Sequence, residues 1–409
     1  MHRFSLFVLG LLSLGQTALA AGPDAPAHLA LWRSYTGVTW QQRVDAHSVN
    51  APIAGLHFDA AGRAFVSTPR LISTQAPATL SLLDTKSLSG PARLTAFPST
   101  AANSISADPR THLRNVLGFY VDNRNGWLWA LDQGFVAGGK DGAAGGAKIM
   151  IYALSDGHLV QRIPLDSVAD REGSFLNDIV VDEARRVAYI ADSGLRSAPD
   201  NQAGLIVADA NRGAVRRVLN QHPALMPVAG LQVVSHGETV WPGNPIMLGI
   251  NGIALSPDQE TLYWTVTTGT TARTIATAAL RDPAMNERQL AAAIRTAGEV
   301  GGNSDGIVVD KHGALYITDV THNGIVRYRP QSGRFTLLAA DDRVYWPDTP
   351  TIGPDGAVMF TASHLNQHFA QAVKPGEEKY TIWKVVQPLI HTAGRPVGPA
   401  CVFTRFCQY

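Results

Sequence analysis

The sequence predicts an all-β fold, a six-bladed β-propeller, on three observations. A short phrase occurs six times, a second strand follows the repeats, and alignment of the repeats superposes one position per unit. The phrase starts at an anchor residue, runs through a mostly apolar stretch and reaches an Asp or another turn residue four positions on. It occurs at Gly55–Asp59, Gly118–Asp122, Asp178–Asp182, Gly252–Ser256, Gly306–Asp310 and Thr349–Gly353. Second strands begin at Trp127, Val187, Thr261 and Ala314. A unit of a few strands recurring every ~40 to 75 residues is the pattern of a propeller, in which each blade buries its faces against its neighbours. Six units predict six blades.

Taken in chain order, residues 1–20 come first. Met1–Arg3 is a basic start, Phe4–Leu14 is apolar, and Ala18–Ala20 precede Ala21 as a small-residue cleavage pattern. This predicts a secretory signal peptide cleaved near Ala20/Ala21, with the mature protein secreted or periplasmic. No other stretch has the roughly 18 to 20 continuous apolar residues of a membrane span. Residues 21–409 are expected to form a single propeller domain. In blade two, Gly138–Gly146 is a flexible insertion between strands. Met285–Arg295 predicts a helix over the rim, either packed on the surface or covering the channel mouth. The two cysteines, Cys401 and Cys407, lie in a tail spanning residues 387–409. In an oxidising compartment they are expected to close a disulfide, with an intermolecular bond or a redox role as the other readings.

Net charge is +1 and basic clusters are few, which gives no electrostatic footprint for nucleic acid or an anionic membrane. A small molecule or another protein is the expected partner.

The residue before each anchor should ring one mouth of the channel. These six are Ala54, Leu117, Asn177, Asn251, Asp305 and Asp348. Four neighbouring blades thus direct an oxygen-bearing side chain to one point, which suits a hard divalent cation such as Ca2+, a binder of six to eight oxygens. The alternative is that these residues cap loops through nearby backbone amides.

Other candidates stand around the same mouth. Phe119, Trp346, Arg70 and His322 are candidate ligand-binding residues, with aromatic walls beside a few polar points as in a small-molecule pocket. His57, His112 and His364 also lie near blade starts or strand ends, without a zinc-binding spacing. Ser67, Ser193 and Ser363 lack a nucleophile-elbow context, and no glycine loop fits a phosphate.

Several of these segments resemble a known family. Pro69 and Arg70, Ala78–Leu80, Trp127–Gly134, Leu176–Asp182, Tyr189–Gly194, Gly204–Val207 and Gly252–Pro257 resemble the major royal jelly protein/Yellow family, over roughly residues 50 to 370. The resemblance implies a secreted six-bladed propeller. That family includes ligand binders, nutritive proteins and dopachrome-converting members. Asn177 and Asp178, Asn251–Asp258 and Ser304–Asp310 are more distantly similar to the gluconolactonase/regucalcin propellers. That similarity implies that Asn251 and Asp305 are metal ligands and that Asn177 binds metal-linked water or substrate. The family's first-blade Glu is replaced here by Ala54, and Asp348 is the residue placed to restore a carboxylate.

The expected function is small-molecule binding at the channel mouth, with a divalent cation at Asn177, Asn251, Asp305 and Asp348. Two alternatives remain open. In a metal-dependent lactonase, Asp305 or Asp348 would act as general base. An extracellular scaffold binding proteins through its rim loops would need neither ion nor pocket.

Overall fold

The computed structural model describes residues 26–40 and 48–387. Residues 1–20, expected to be a signal peptide, and Cys401 and Cys407, expected to form a disulfide, lie outside the described residues. Six antiparallel sheets stand around a central channel, as the repeats predict. Blade one comprises strands 56–58, 64–67, 80–83 and 92–96, with the short strand 38–39 added in parallel at its outer edge. Blade two comprises 116–122, 127–133, 147–153 and 159–164, and blade three 176–182, 187–192, 204–209 and 214–218. Blade four comprises 250–255, 261–266, 271–276 and 295–299, and blade five 307–309, 315–319, 324–329 and 334–340. Blade six takes 347–352, 358–362 and 380–386 from one end of the chain and His28–Tyr35 from the other.

The repeated phrase forms the innermost strand of each blade. Its terminal Asp caps the turn that follows: Asp59 Oδ1 accepts from Ala61 N and Arg63 N, Asp122 Oδ1 from Asn125 N, Asp182 Oδ1 from Arg185 N, and Asp310 Oδ1 from His312 N. These short acceptors satisfy backbone donors that the tight turn leaves unpaired. The periodic Asp is therefore a folding signal.

Both faces of a blade are buried, so strands such as Ala147–Ala153 are buried at every position. Each of the six seams between blades has its own apolar core. Trp129, Ile151, Ile179 and Ile206 fill the seam between blades two and three, and Tyr35, Ile53, Leu56 and Ile382 fill the closing seam between six and one.

The helix expected over Met285–Arg295 is shorter, Glu287–Ala293, and follows another helix at Thr277–Arg281. Asn286 caps it reciprocally with Gln289, and Leu290 anchors it in the core between blades three and four. Arg295 does not continue the helix. It begins the outer strand of blade four, because its backbone pairs with Thr274. The helix packs on the outer edge and leaves the mouth uncovered.

Candidate functional site

Four of the six anchors are glycines, and the reason is close approach of neighbouring blades. A Cβ on Gly118 would lie 2.5 Å from the carbonyl oxygen of Asn177, and one on Gly306 would lie 3.0 Å from Thr349 N. At the same level the pairing of first and second strands slips in blades two, three, four and six, between Val116 and Phe119, Leu176 and Asp178, Ile250 and Ile253, and Asp348 and Thr351. Such bulges re-aim side chains. In blades one and five, which lack such a slip, second-strand hydroxyls cap the amides at this level: Ser67 Oγ accepts from Gly55 N at 2.9 Å, and Thr318 Oγ1 accepts from Asp305 N at 3.1 Å and Gly306 N at 2.9 Å.

The side chains that precede the anchors of blades three to six converge. Asn177 Nδ2 donates to Asn251 Oδ1, and Asn251 Nδ2 donates to Asp305 Oδ1 and, at 2.7 Å, to Thr267 Oγ1. Trp346 Nε1 donates to Asp305 Oδ2 at 2.5 Å. Asp348 faces the same cavity and accepts from Thr349 N at 2.6 Å. Blades three, four and five are thus linked side chain to side chain, with the Asp348 carboxylate on blade six. Ala54 is fully buried among apolar groups, and Leu117 lines the cavity without a polar atom.

Asp178 also belongs to this cluster, although the sequence reading did not single it out. It occupies an anchor where four other blades carry glycine, and that departure was the available signal. Its side chain crosses to blade four, where Oδ2 accepts from Ile253 N at 3.2 Å, while Oδ1 accepts from Ile179 N at 2.8 Å. Burial pushes its carboxyl up to about 7, the two amide donors opposing and the Asp305 charge adding to the rise. Asp305 is raised by burial against the pull of its Trp346 and Asn251 donors. Asp348 is raised well above the carboxylate range, by burial first and then by the charge of Asp305. No Lys or Arg pairs with these three among the described residues.

The cluster stands at one end of a channel cavity of about 550 Å³ lined by all six inner strands. Phe119 lines it, with the His57 ring edge-on at 4.9 Å. His57 Nδ1 lies 3.4 Å from Thr351 Oγ1, and burial pulls this imidazole down to about 4, so it is neutral at physiological pH. Over the cluster lies an apolar roof of Val233, Val240, Ile246, Leu248, Trp346 and Leu365. Most of it comes from the 219–249 connection between blades three and four, which no sequence periodicity signalled. Trp346 belongs to this roof and bonds the ring from above.

Two candidates lie elsewhere. Arg70 is 2 % exposed and donates to the carbonyls of Ala76, Asn103 and Arg114, which makes it a brace between blades one and two and leaves it no free donor for a ligand. His322 is outside the cavity lining; its Nδ1 pairs with Asp319 Oδ2 at 2.8 Å and its side chain is 48 % exposed. Asp319 ends a second strand, and the turn after it carries His322 outward. His112 is engaged with Thr111 Oγ1, and His364 stacks on Tyr345.

Fold and site define a capped six-bladed propeller with an oxygen-rich cluster at the closed end of its channel. The chain belongs to the major royal jelly protein family, whose model matches residues 115–391. Among solved structures it is similar to the calcium-binding protein regucalcin from Agrobacterium tumefaciens, with 16% identity, 82% of this chain and 91% of that chain covered, and a TM-score of 0.47. A gluconolactonase from Xanthomonas campestris shows 16% identity, 88% and 90% coverage and a TM-score of 0.47. A luciferin-regenerating enzyme shows 11% identity, 82% and 92% coverage and a TM-score of 0.50. At such identities the likeness concerns the fold. No curated protein sequence matches the chain.

Proposed function

We propose that the protein binds a small organic molecule in its central channel, beside a divalent cation, with calcium the expected ion. The observation that carries this reading is the direct contact of Asn177, Asn251 and Asp305, from three consecutive blades, at the closed end of a mainly apolar cavity. Asp348 adds a second carboxylate. Among the described residues no three or more His, Cys, Asp or Glu are placed together to hold a metal ion, and the donor set of this reading is two amides and two carboxylates, all oxygen. That set fits a hard cation completed by water. The cost of burying like charges points the same way, because an ion between Asp305 and Asp348 offsets a burden that no Lys or Arg relieves.

Elemental analysis after dialysis against calcium tests the reading, with the native protein beside Asp305→Ala. About one ion per chain is expected in the native protein and none in the variant. Terbium adds an optical readout: its luminescence should be excited through Trp346 and lost in Trp346→Phe. An ion-free native protein overturns the cation reading.

The raised carboxylates favour a second reading, a metal-dependent lactonase. A bound cation would supply Lewis acidity and lower the pKa of a bound water. Asp305 or Asp348 would accept the proton of that water, and Asn177 would orient the lactone carbonyl. A panel of lactones tests this: no turnover by the ion-loaded native protein rejects it, and turnover retained in both Asp305→Ala and Asp348→Ala rejects these residues as the base. Residues 1–20 would export the chain, and a mature N-terminus at Ala21 in the secreted protein checks that reading.

A further inference from the structure

The two ends of the channel differ in construction. At the ring end Asn251 is 3 % and Asp305 7 % exposed, beneath the apolar roof. That roof is fastened from several sides. Trp241 Nε1 donates to Asn366 O at 3.1 Å, and Val234 N donates to Asn303 Oδ1 at 3.1 Å. The rings of His236 and His364 both stack on Tyr345, with centroids 3.7 and 4.4 Å from it. At the other end the inner strands run out into turns, where cavity-lining Asn123, Pro257 and Lys311 are exposed. Between the two ends the wall residues Tyr120, Val180 and Val308 are half-buried. Among the residues that line the cavity, Asn251 and Asp305 are thus buried, and Asn123, Pro257 and Lys311 at the turns are exposed.

We propose that ligands enter and leave through the face formed by the turns between first and second strands, with the roof as a fixed floor. The ligand class follows if the ring is the binding site proposed above: a slender molecule with an apolar body and one oxygen-bearing head that enters first. The head must pass Val180 and Val308 to reach Asp305 and Asp348, so a molecule that is polar along its length loses hydration on the way without replacement partners. Near the turn end the Tyr120 hydroxyl is already committed to Glu183 Oε1 at 3.0 Å, which leaves the wall mainly apolar.

Thiol labelling tests the route and needs neither ion nor ligand. Val180→Cys places a reporter on the channel wall, and Val308→Cys is a second reporter should the first not fold. Modification of that residue by methyl methanethiosulfonate is followed by mass spectrometry. Adding Lys311→Trp at the turn face should slow labelling about ten-fold, equivalent to about 1.4 kcal/mol in the barrier. Adding Trp241→Ala in the roof should leave the rate unchanged. Bulky fluorescein maleimide should react about ten-fold more slowly than a straight-chain alkyl methanethiosulfonate, each relative to its rate with free cysteine. The proposal is overturned if Trp241→Ala accelerates labelling, if Lys311→Trp has no effect, if the two reagent sizes react alike, or if neither reporter reacts in the folded protein. Such a failure would leave the ion measurement standing, and loss of the ion reading would leave the route standing.

Discussion

Replacing His57 with glutamine should flatten the acid limb of the stability curve. The imidazole is enclosed by Phe119, Tyr120 and Thr351, and burial lowers it from 6.5 to about 4. Between these values the unfolded chain takes up a proton that the folded chain refuses, so the native state loses stability as pH falls through 6.5 and the loss is complete near 4. The gap between 6.5 and about 4, at about 1.4 kcal/mol per pH unit, gives about 3.5 kcal/mol, an upper bound because the ring borders a cavity that admits water. His57→Gln removes this titration and keeps a similar volume. Urea unfolding followed by tryptophan fluorescence from about pH 7.5 to about pH 4 should show native and variant converging or crossing, the native protein losing about 2 to 3 kcal/mol more. Carboxylates raised in the fold act oppositely in this window, but they are common to both proteins and cancel in the difference. Parallel curves would refute the burial of a neutral imidazole.

Other perturbations reach different parts of the structure. Lys148 and Asp132 form a fully buried ion pair at 2.6 Å, so Lys148→Met should cost about 3 to 5 kcal/mol in denaturant unfolding by stranding the carboxylate. Gly118→Ala would set a Cβ against the Asn177 carbonyl, and a loss of about 1 to 3 kcal/mol, with weaker terbium binding, is expected as the ring is displaced. Arg70→Leu should leave the Ala76, Asn103 and Arg114 carbonyls without their donor and lower the unfolding midpoint, while terbium affinity stays within about two-fold because the ring lies elsewhere.

The fold was legible because one signal was written six times. Apolar inner strands ending in Asp59, Asp122, Asp182 and Asp310 combine a strand pattern with a turn cap, and both are local properties. The ring was legible as a set of aligned positions, but its geometry depends on bulges between strands, which a single strand does not encode. Asp178 was visible only as a departure from glycine. Arg70 and His322 looked like site residues because a charged or titratable group near a strand end has the same local sequence whether it braces backbone, caps a turn or faces a ligand. The roof was illegible for a related reason: Val233, Val240, Ile246 and Leu248 have no helical or strand period and gain meaning only when Leu365 and Trp346 arrive from far along the chain. At Arg295 local helix preference lost to the unpaired edge of blade four.

Blade six has a consequence for how the molecule is made. Its outer strand, His28–Tyr35, is synthesised before the other five blades, and its partner, Tyr380–Val386, after them. The early strand must therefore wait, with its edge unsatisfied, while five complete blades are produced. Closure is a single late event that converts an open arc into a circle, and the arc before it exposes the seam cores of both terminal blades. Delay in pairing Tyr380–Val386 with His28–Tyr35 would thus lengthen the time for which the open arc can associate with other chains.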